Sequence, residues 1–181
     1  MVSYSIDKGN STDLAQVMVL IKATTVAMRS VGILQWDDFY PDSETMRADL
    51  ESGALYKLCE NGIFVSIVTI NSNSPKEYDQ LPWRDQQGKH ATVHRLTVHP
   101  DWQGRGIGKQ MMRFVESFTQ QHGHTSLRLD AHSRNEQALS LYRGMGFHEV
   151  GGVEFRNGSF ICFEKHITKT PHPIGQGVYE Y

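Results

Sequence analysis

The sequence predicts an α+β fold in which a mixed sheet of about seven strands is flanked by four helices. Three observations support this class: a length of 181 residues, β-type runs joined by Asn-Gly turns in both halves of the chain, and amphipathic helical patterns between other β-type runs. A chain of this length with 39% hydrophobic residues forms one core. We therefore expect a single domain over residues 1–167 and a C-terminal tail over residues 168–181.

The first quarter of the chain predicts a strand and two helices. Residues 3–7 alternate in polarity like a short strand, and the apolar residues of 14–21 recur at helical spacing. An aromatic and acidic connector over residues 33–41 separates this helix from a shorter one, which Asp42 or Ser43 can cap.

The rest of the chain predicts hairpins at both ends of an alternating strand and helix pattern. A polar stretch with two prolines, residues 71–89, predicts a long surface loop, which in a compact domain is usually functional or mobile. The other predicted elements, in chain order, are strands at 54–59, 63–70 and 91–98, a helix from Ile107 to about His122, a strand at 125–131, a helix over 138–145, and strands at 148–155 and 159–166.

Charge and cysteine content exclude several classes of function. Eighteen Lys and Arg against twenty Asp and Glu leave a net charge of −2, which provides no basic surface for nucleic acid. Two cysteines without CxxC spacing disfavour a disulfide scaffold and fit a reducing compartment. The N-terminus lacks the features of a signal peptide, and no apolar run is long enough to cross a bilayer. We expect a cytoplasmic protein that does not act at a membrane.

A strand followed by a glycine-rich turn and a helix carries the strongest chemical signal. Gly104, Gly106 and Gly108 stand where the backbone enters the helix, so amide groups at the helix N-terminus are open to an anion such as a pyrophosphate. Arg105 and Lys109 add positive charge, although each can equally be a solvated helix residue. The spacing matches neither the phosphate loop GxxxxGK[ST] nor the dinucleotide fingerprint GxGxxG. For the glycines alone, a turn without a ligand remains the alternative.

Two motifs in the second half of the chain resemble those of a known enzyme family. Gln103-x-x-Gly106-x-Gly108, preceded by a strand and Pro100, resembles the acyl-CoA-binding motif of the GCN5-related N-acetyltransferase (GNAT) superfamily. The second motif of that superfamily, N-x-x-A-x-x-x-Y-x-x-x-G-F, is matched by Asn135, Ala138, Tyr142, Gly146 and Phe147. The resemblance implies an acetyl-CoA-dependent N-acetyltransferase whose mixed, mostly antiparallel sheet is splayed between its two central strands.

The resemblance also implies which residues hold acetyl-CoA. In the family the pyrophosphate lies on the glycine loop, the pantetheine arm runs along the splayed strand, and the residue at the position of Asn135 contacts that arm. The cofactor-binding residues implied here are Leu96, Thr97, Val98, Gln103, Gly104, Arg105, Gly106, Ile107, Gly108, Lys109 and Asn135. Tyr142 corresponds to the phenol near the thioester sulfur. A core tyrosine with a satisfied hydroxyl is the alternative for Tyr142, because a buried phenol needs a polar partner.

A histidine is the candidate for the base. An alkylammonium is mostly protonated at pH 7, so a base or a water path must remove a proton before the amine can react. Strand alternation predicts that His94 shares a face with Leu96 and Val98. A similar His occupies this position in arylalkylamine N-acetyltransferases, whereas many relatives have a Glu two residues earlier, where this chain has Thr92. A structural His is the alternative.

The connector between the first two helices is the predicted acceptor site, since in the family this region borders the acceptor side of the cleft. The carboxylates of Asp37 and Asp38 can hold an ammonium group, with Trp36 or Tyr40 as an aromatic wall. The alternative is that both carboxylates are solvated and Trp36 anchors the core. We expect a small cationic or aromatic primary amine as the substrate.

Other functions remain open at this point. A protein N-terminal or lysine acetyltransferase is the alternative among enzymes, and a non-catalytic acyl-CoA sensor is the alternative from another class. The presence of both Tyr142 and His94 favours an enzyme. No metal site is expected, because His122 and His124 read as a helix C-cap and turn pair. The tail and the last hairpin leave room for a homodimer.

Overall fold

A computed structural model describes residues 5–167 and has the predicted α+β architecture. The strands are β1 (Ile6–Lys8), β2 (Leu55–Glu60), β3 (Ile63–Asn71), β4 (His90–Val98), β5 (Ser126–His132), β6 (His148–Phe155) and β7 (Gly158–His166). The helices are α1 (Leu14–Ser30), α2 (Ser43–Glu51), α3 (Ile107–Gln121) and α4 (Glu136–Gly144). The strands form one mixed sheet in the order β1-β2-β3-β4-β5-β7-β6. The predicted tail over 168–181 lies outside the described residues.

The helices cover the two faces of the sheet in pairs. One core cluster packs α1 and α2 on the sheet, and a larger one packs α3 and α4 on it. Ile67 and Val68, neighbours on β3, enter different clusters, so the two pairs lie on opposite faces. No helix in the described part of the chain is long and apolar enough to span a membrane.

The sheet is split between β4 and β5. All other neighbouring strands are antiparallel, whereas these two are parallel and pair only from His90 and Ser126 to Thr92 and Arg128. Beyond Thr92 on β4 and Arg128 on β5, the two strands do not pair with each other. The split therefore leaves the facing edges of β4 and β5 open beyond Thr92 and Arg128.

A β-bulge in β4 corrects the predicted strand alternation. His94 and Thr97 pair with Thr69 and Ile67, so two residues on β4, Arg95 and Leu96, oppose one on β3, Val68. Arg95 absorbs the extra residue with a left-handed φ of 53°, a conformation that is costly for a non-glycine residue. The bulge places His94 on the same face as Thr97. The prediction that His94 shares a face with Leu96 and Val98 is therefore wrong.

The segment over residues 71–89 is more ordered than the surface loop that the sequence predicts. It contains a short 3-10 helix, Lys76–Gln80, and it buries Tyr78 and Trp83 in a third cluster with β6 and β7. Trp83 donates its indole N–H to the carbonyl of Tyr78 at 2.8 Å. Two large aromatic residues in a polar stretch were the signal for this packing.

Candidate active site

A cavity of about 600 Å³ lies between the end of β4, the glycine loop, α1 and α4. It gathers nearly all residues that the sequence assigned to the cofactor. Those lining it are Leu96, Thr97, Val98, Gln103, Gly104, Gly106, Ile107, Gly108, Lys109 and Asn135. Arg105 is not among the lining residues, and its guanidinium lies 5.8 Å from the ring centre of Trp102. We call this space the cofactor cavity.

The glycine loop leaves backbone amides free at the start of α3. Gly104 and Gly106 have φ angles of 75° and 79°, which favour glycine. The first intrahelical hydrogen bond runs from the Gln110 N–H to the carbonyl of Gly106 at 3.0 Å, and no side chain caps the helix. The amides of residues 107–109 therefore have no intrahelical partner, which fits an anionic pyrophosphate.

The split edge of β4 faces the same cavity. Leu96, Thr97 and Val98 line it, and these residues have no strand partner on the β5 side. An extended ligand arm with amide groups can therefore hydrogen-bond to this edge as an added strand would.

A second cavity, also of about 600 Å³, adjoins the first. The two share Gln35, Trp36, Leu96 and Tyr142 as lining residues. Aromatic side chains form much of the second cavity's wall, namely Trp36, Phe39, Tyr40, Phe155 and Phe160. We call it the acceptor cavity, because a molecule in it would meet the end of a ligand in the cofactor cavity.

Tyr142 stands at the junction of the two cavities. Its ring is only 6% exposed and packs against Phe147 and Phe163 at centroid distances of 5.8 and 5.7 Å. Its hydroxyl has no hydrogen-bond partner within residues 5–167, so it is available to a ligand. Burial, together with the charge of Asp130, raises the pKa of Tyr142 well above its usual range. The phenol is therefore protonated at any working pH and can act as a hydrogen-bond donor.

Asp130 on β5 lines the acceptor cavity, and sequence reasoning missed it. Its Oδ2 accepts a hydrogen bond from the Tyr78 hydroxyl at 2.7 Å, and burial raises its pKa. The buried carboxylate of Asp49 is paired with Arg95, that of Asp13 with Lys57 and that of Glu164 with Arg128. Asp130 has no such cationic partner among the described residues. The available signal was an aspartate inside the otherwise apolar end of a strand, Leu129-Asp130-Ala131.

His94 also lines the acceptor cavity. Its Nε2 lies 3.0 Å from the carbonyl oxygen of Asn73 and 3.1 Å from Oδ1 of Asn71. A carbonyl can only accept, so Nε2 carries the hydrogen and Nδ1 is the basic nitrogen. Burial, followed by the positive charge of Arg95, lowers the pKa of His94 to about 4. The ring is neutral at pH 7 and is a weak base.

The connector contributes aromatic walls to the acceptor cavity, but its carboxylates are otherwise engaged. Trp36 and Tyr40 line the cavity, and Trp36 is also part of the core. Asp37 accepts hydrogen bonds from the backbone amides of residues 39 and 40 and forms a 2.6 Å ion pair with Arg156. Asp38 is 81% exposed, pairs with Arg29 at 3.2 Å and does not line the cavity.

Contacts between the connector and the turn from β6 to β7 join two parts of the acceptor cavity's wall. The Asn157 side chain donates to the backbone carbonyl of Gln35 at 3.1 Å, and the Asp37–Arg156 ion pair lies beside this bond. Asn135, the N-cap of α4, donates to Oε1 of Gln35 at 3.3 Å. We call the contacts of Gln35 with Asn157 and of Asp37 with Arg156 the rim bridge.

Comparison with known proteins identifies a family. The model of the acetyltransferase (GNAT) family matches residues 28–147, more than half of the chain. The N-acetyltransferase YesJ of Bacillus subtilis is 24% identical over 159 residues, which cover 86% of each chain. The N-alpha-acetyltransferase RimI of Mycobacterium tuberculosis is 39% identical over 59 residues, which cover 33% of this chain and 35% of RimI.

Solved structures share the fold. A GNAT-family acetyltransferase from Streptococcus agalactiae superimposes with a TM-score of 0.77 at 21% identity, covering 90% of this chain and 95% of that one. The structure of yncA from Salmonella typhimurium with its cofactor acetyl-CoA has a TM-score of 0.69 at 16% identity and covers 96% of this chain and 99% of yncA.

Proposed function

Because the chain belongs to the GNAT acetyltransferase family and is an acyl-CoA-dependent N-acetyltransferase, we propose that it acetylates a small primary amine with an apolar or aromatic body. The observation that carries this proposal is the acceptor cavity, which combines an aromatic wall with a carboxylate, Asp130, that lacks a cationic partner within the described residues. Asp130 is partly buried, and a carboxylate withdrawn from water is costly without a counter-charge, which an ammonium group would supply.

The cofactor cavity would hold acetyl-CoA in the way that its free groups suggest. The amides at the start of α3 would bind the pyrophosphate, and the edge of β4 at residues 96–98 would pair with the pantetheine arm. Bound acetyl-CoA supplies an acetyl thioester, whose C–S bond breaks as the amine nitrogen bonds to the acetyl carbon. Tyr142 would donate its hydroxyl hydrogen to the departing sulfur.

The amine must lose one proton before it reacts and a second as the amide forms. Asp130 would bind the ammonium and orient it, and its raised pKa makes it a better proton acceptor than an ordinary carboxylate. His94, with a pKa of about 4, would serve as a neutral acceptor in the water path from the cavity. In this proposal the ammonium group of the acceptor binds Asp130, whereas the sequence analysis predicted that it binds Asp37 and Asp38.

A protein N-terminal acetyltransferase is the second candidate, favoured by the similarity to RimI. A polypeptide would need an open groove leading away from the acceptor cavity. The rim bridge joins the connector to the turn from β6 to β7 across the wall of this cavity. A polypeptide entering between these two segments would have to break the rim bridge, and this favours a small amine.

A thiol-release assay tests the proposal. The full chain would be given acetyl-CoA with a panel of arylalkylamines, aliphatic amines and peptides with free N-termini. We expect acceptor-dependent release of CoA with small amines and little with peptides. Release with peptides alone would favour the second candidate, and acetyl-CoA binding without release for any acceptor would indicate a sensor.

A further inference from the structure

The segment that precedes β4 contacts Asp130, a residue of the acceptor cavity wall, through the hydroxyl of Tyr78. Tyr78 is 1% exposed and lies in the short 3-10 helix Lys76–Gln80. Its hydroxyl is 2.7 Å from Oδ2 of Asp130, a residue 52 positions later in the chain. Trp83 also contacts Tyr78: its indole N–H donates to the Tyr78 carbonyl, and the centres of the two rings are 5.0 Å apart.

Within residues 5–167, the Tyr78 hydroxyl is the one hydrogen-bond donor to the Asp130 carboxylate. The other oxygen, Oδ1, accepts no hydrogen bond from them, although Asp130 lines the cavity. Burial and the nearby carboxylate raise the pKa of Tyr78 well above its usual range, so Tyr78 always donates. A donated hydrogen bond favours the charged form of a carboxylate and also fixes its orientation.

We infer that Tyr78 is a positioning residue for the acetyl acceptor: it holds Asp130 by Oδ2, so that Oδ1 is left to receive the ammonium group. The inference rests on the proposed role of Asp130 as the acceptor's binding group. It assigns a function to the segment over residues 71–89, which is to orient the acceptor's binding group from outside the cavity.

Other titratable groups near Asp130 do not offer an alternative partner. Tyr142 faces it from α4 and Cys162 from β7, and burial, with the charge of Asp130, raises the pKa of both. Both are therefore neutral at assay pH. The charged or titratable groups elsewhere on the cavity wall are Tyr40, Glu77, His94, Arg95 and Arg156. Arg95 and Arg156 are paired with Asp49 and Asp37, respectively.

The experiment is Tyr78→Phe, which keeps the ring and removes the hydroxyl. Loss of the hydrogen bond should raise the pKa of Asp130 further. In the pH profile of kcat/KM for the amine, we expect the acidic limb to move to higher pH by about one unit. At pH values below the limb kcat/KM should fall roughly tenfold, and above the limb it should change little. The KM for acetyl-CoA should stay constant. Carbon NMR of the Asp130 carboxyl in the free chain should show the same shift of its titration midpoint.

Two controls separate positioning from loosened packing. Tyr56→Phe removes a phenol hydroxyl that is distant from the cavity, in the stack with Phe114 and Phe118, and should leave the limb in place. Trp83→Phe removes the indole donor of the segment but keeps the Tyr78 hydroxyl. If Tyr78→Phe does not fold, 3-fluorotyrosine at position 78 provides a more acidic donor of nearly equal size and should move the limb and the NMR midpoint down.

The outcomes distinguish this inference from the proposed function. Tyr78→Phe should have no further effect in a chain that already carries Asp130→Asn. An unmoved limb and NMR midpoint in Tyr78→Phe, in a protein where Asp130→Asn does impair the amine, would overturn the role of Tyr78 alone. An Asp130→Asn protein with unchanged amine kinetics would overturn the acceptor site itself.

Discussion

Asp130 on β5 and Tyr142 on α4 line the same cavity close enough to interact electrostatically, and after burial the charge of Asp130 is what raises the pKa of Tyr142. The two groups are suited to opposite tasks. The carboxylate has no cationic partner among the described residues and can take a proton, whereas the phenol keeps its proton and can donate a hydrogen bond. Tyr142 alone of the two also borders the cofactor cavity.

Removal of the Tyr142 hydroxyl should affect the chemical step. We expect Tyr142→Phe to lower kcat on the order of 10²-fold and to leave acetyl-CoA affinity within about twofold, because the hydroxyl would act on the departing sulfur. Steady-state kinetics and calorimetry measure the two quantities. A near-native kcat in this variant would mean that Tyr142 only packs in the core and takes no part in the reaction.

The glycine loop should be essential for cofactor binding. Gly106→Val forces a β-branched residue into a left-handed conformation and places a side chain beside the free amides of α3. We expect acetyl-CoA affinity to fall at least tenfold in calorimetry. Gly123→Val is the matched control, since Gly123 also has a positive φ, 70°, and open space around it. Equal affinity losses in the two variants would mean that backbone strain, and not a loss of contact with the free amides of α3, explains the effect.

Asp130 and Asp49 should respond oppositely to neutralisation. The folded-state pKa of Asp130 is raised, so its ionised form is destabilising above that pKa, and Asp130→Asn removes the penalty. At pH 8 we expect a Tm higher by roughly 3 °C, the change that about 1 kcal/mol produces in a domain of this size.

Asp49→Asn should instead lower the Tm, because Asp49 holds Arg95 through two hydrogen bonds of 2.7 Å and accepts a third from Thr69. Removing one partner of a buried pair costs about 3–5 kcal/mol. Differential scanning calorimetry of both variants checks this contrast. A loss of stability in both would contradict the reading of Asp130 as an unpaired functional carboxylate.

His94 should make the protein sensitive to acid. Its folded-state pKa of about 4 lies below the ordinary value of 6.5, so the unfolded chain binds the proton more tightly. Stability is therefore complete above pH 6.5 and is lost as the pH falls through 4, by up to about 3 kcal/mol. His94→Gln should flatten this dependence in urea unfolding measured from pH 7 to pH 4. If His94→Gln leaves the pH dependence of the unfolding free energy unchanged, other groups cause the sensitivity to acid.

Much of the fold was predictable because helical periodicity and Asn-Gly turns mark its elements locally. The positions of the glycine loop and Tyr142 at the cavities were predictable because each lies in a short contiguous motif. The bulge at Arg95 was not, since strand alternation assumes regular pairing and the bulge is set by contacts with Asp49 and Tyr40 from another part of the chain. Asp130 was missed for a similar reason: its importance lies in the lack of a cationic partner, which only the packing of β5 against Tyr78 reveals.

The most direct test of whether Asp130 binds the acceptor as an ammonium ion is a ratio of two kcat/KM values, one for an arylalkylamine and one for an arylamine. An arylalkylamine is charged at pH 7.5, whereas an arylamine of similar size is neutral. We expect Asp130→Asn to lower kcat/KM for the arylalkylamine at least tenfold more than for the arylamine. Asp38→Asn, at an exposed carboxylate outside the cavity, should leave the ratio of the two kcat/KM values unchanged. Equal losses for both amines in Asp130→Asn, or a changed ratio in Asp38→Asn alone, would contradict ammonium binding by Asp130.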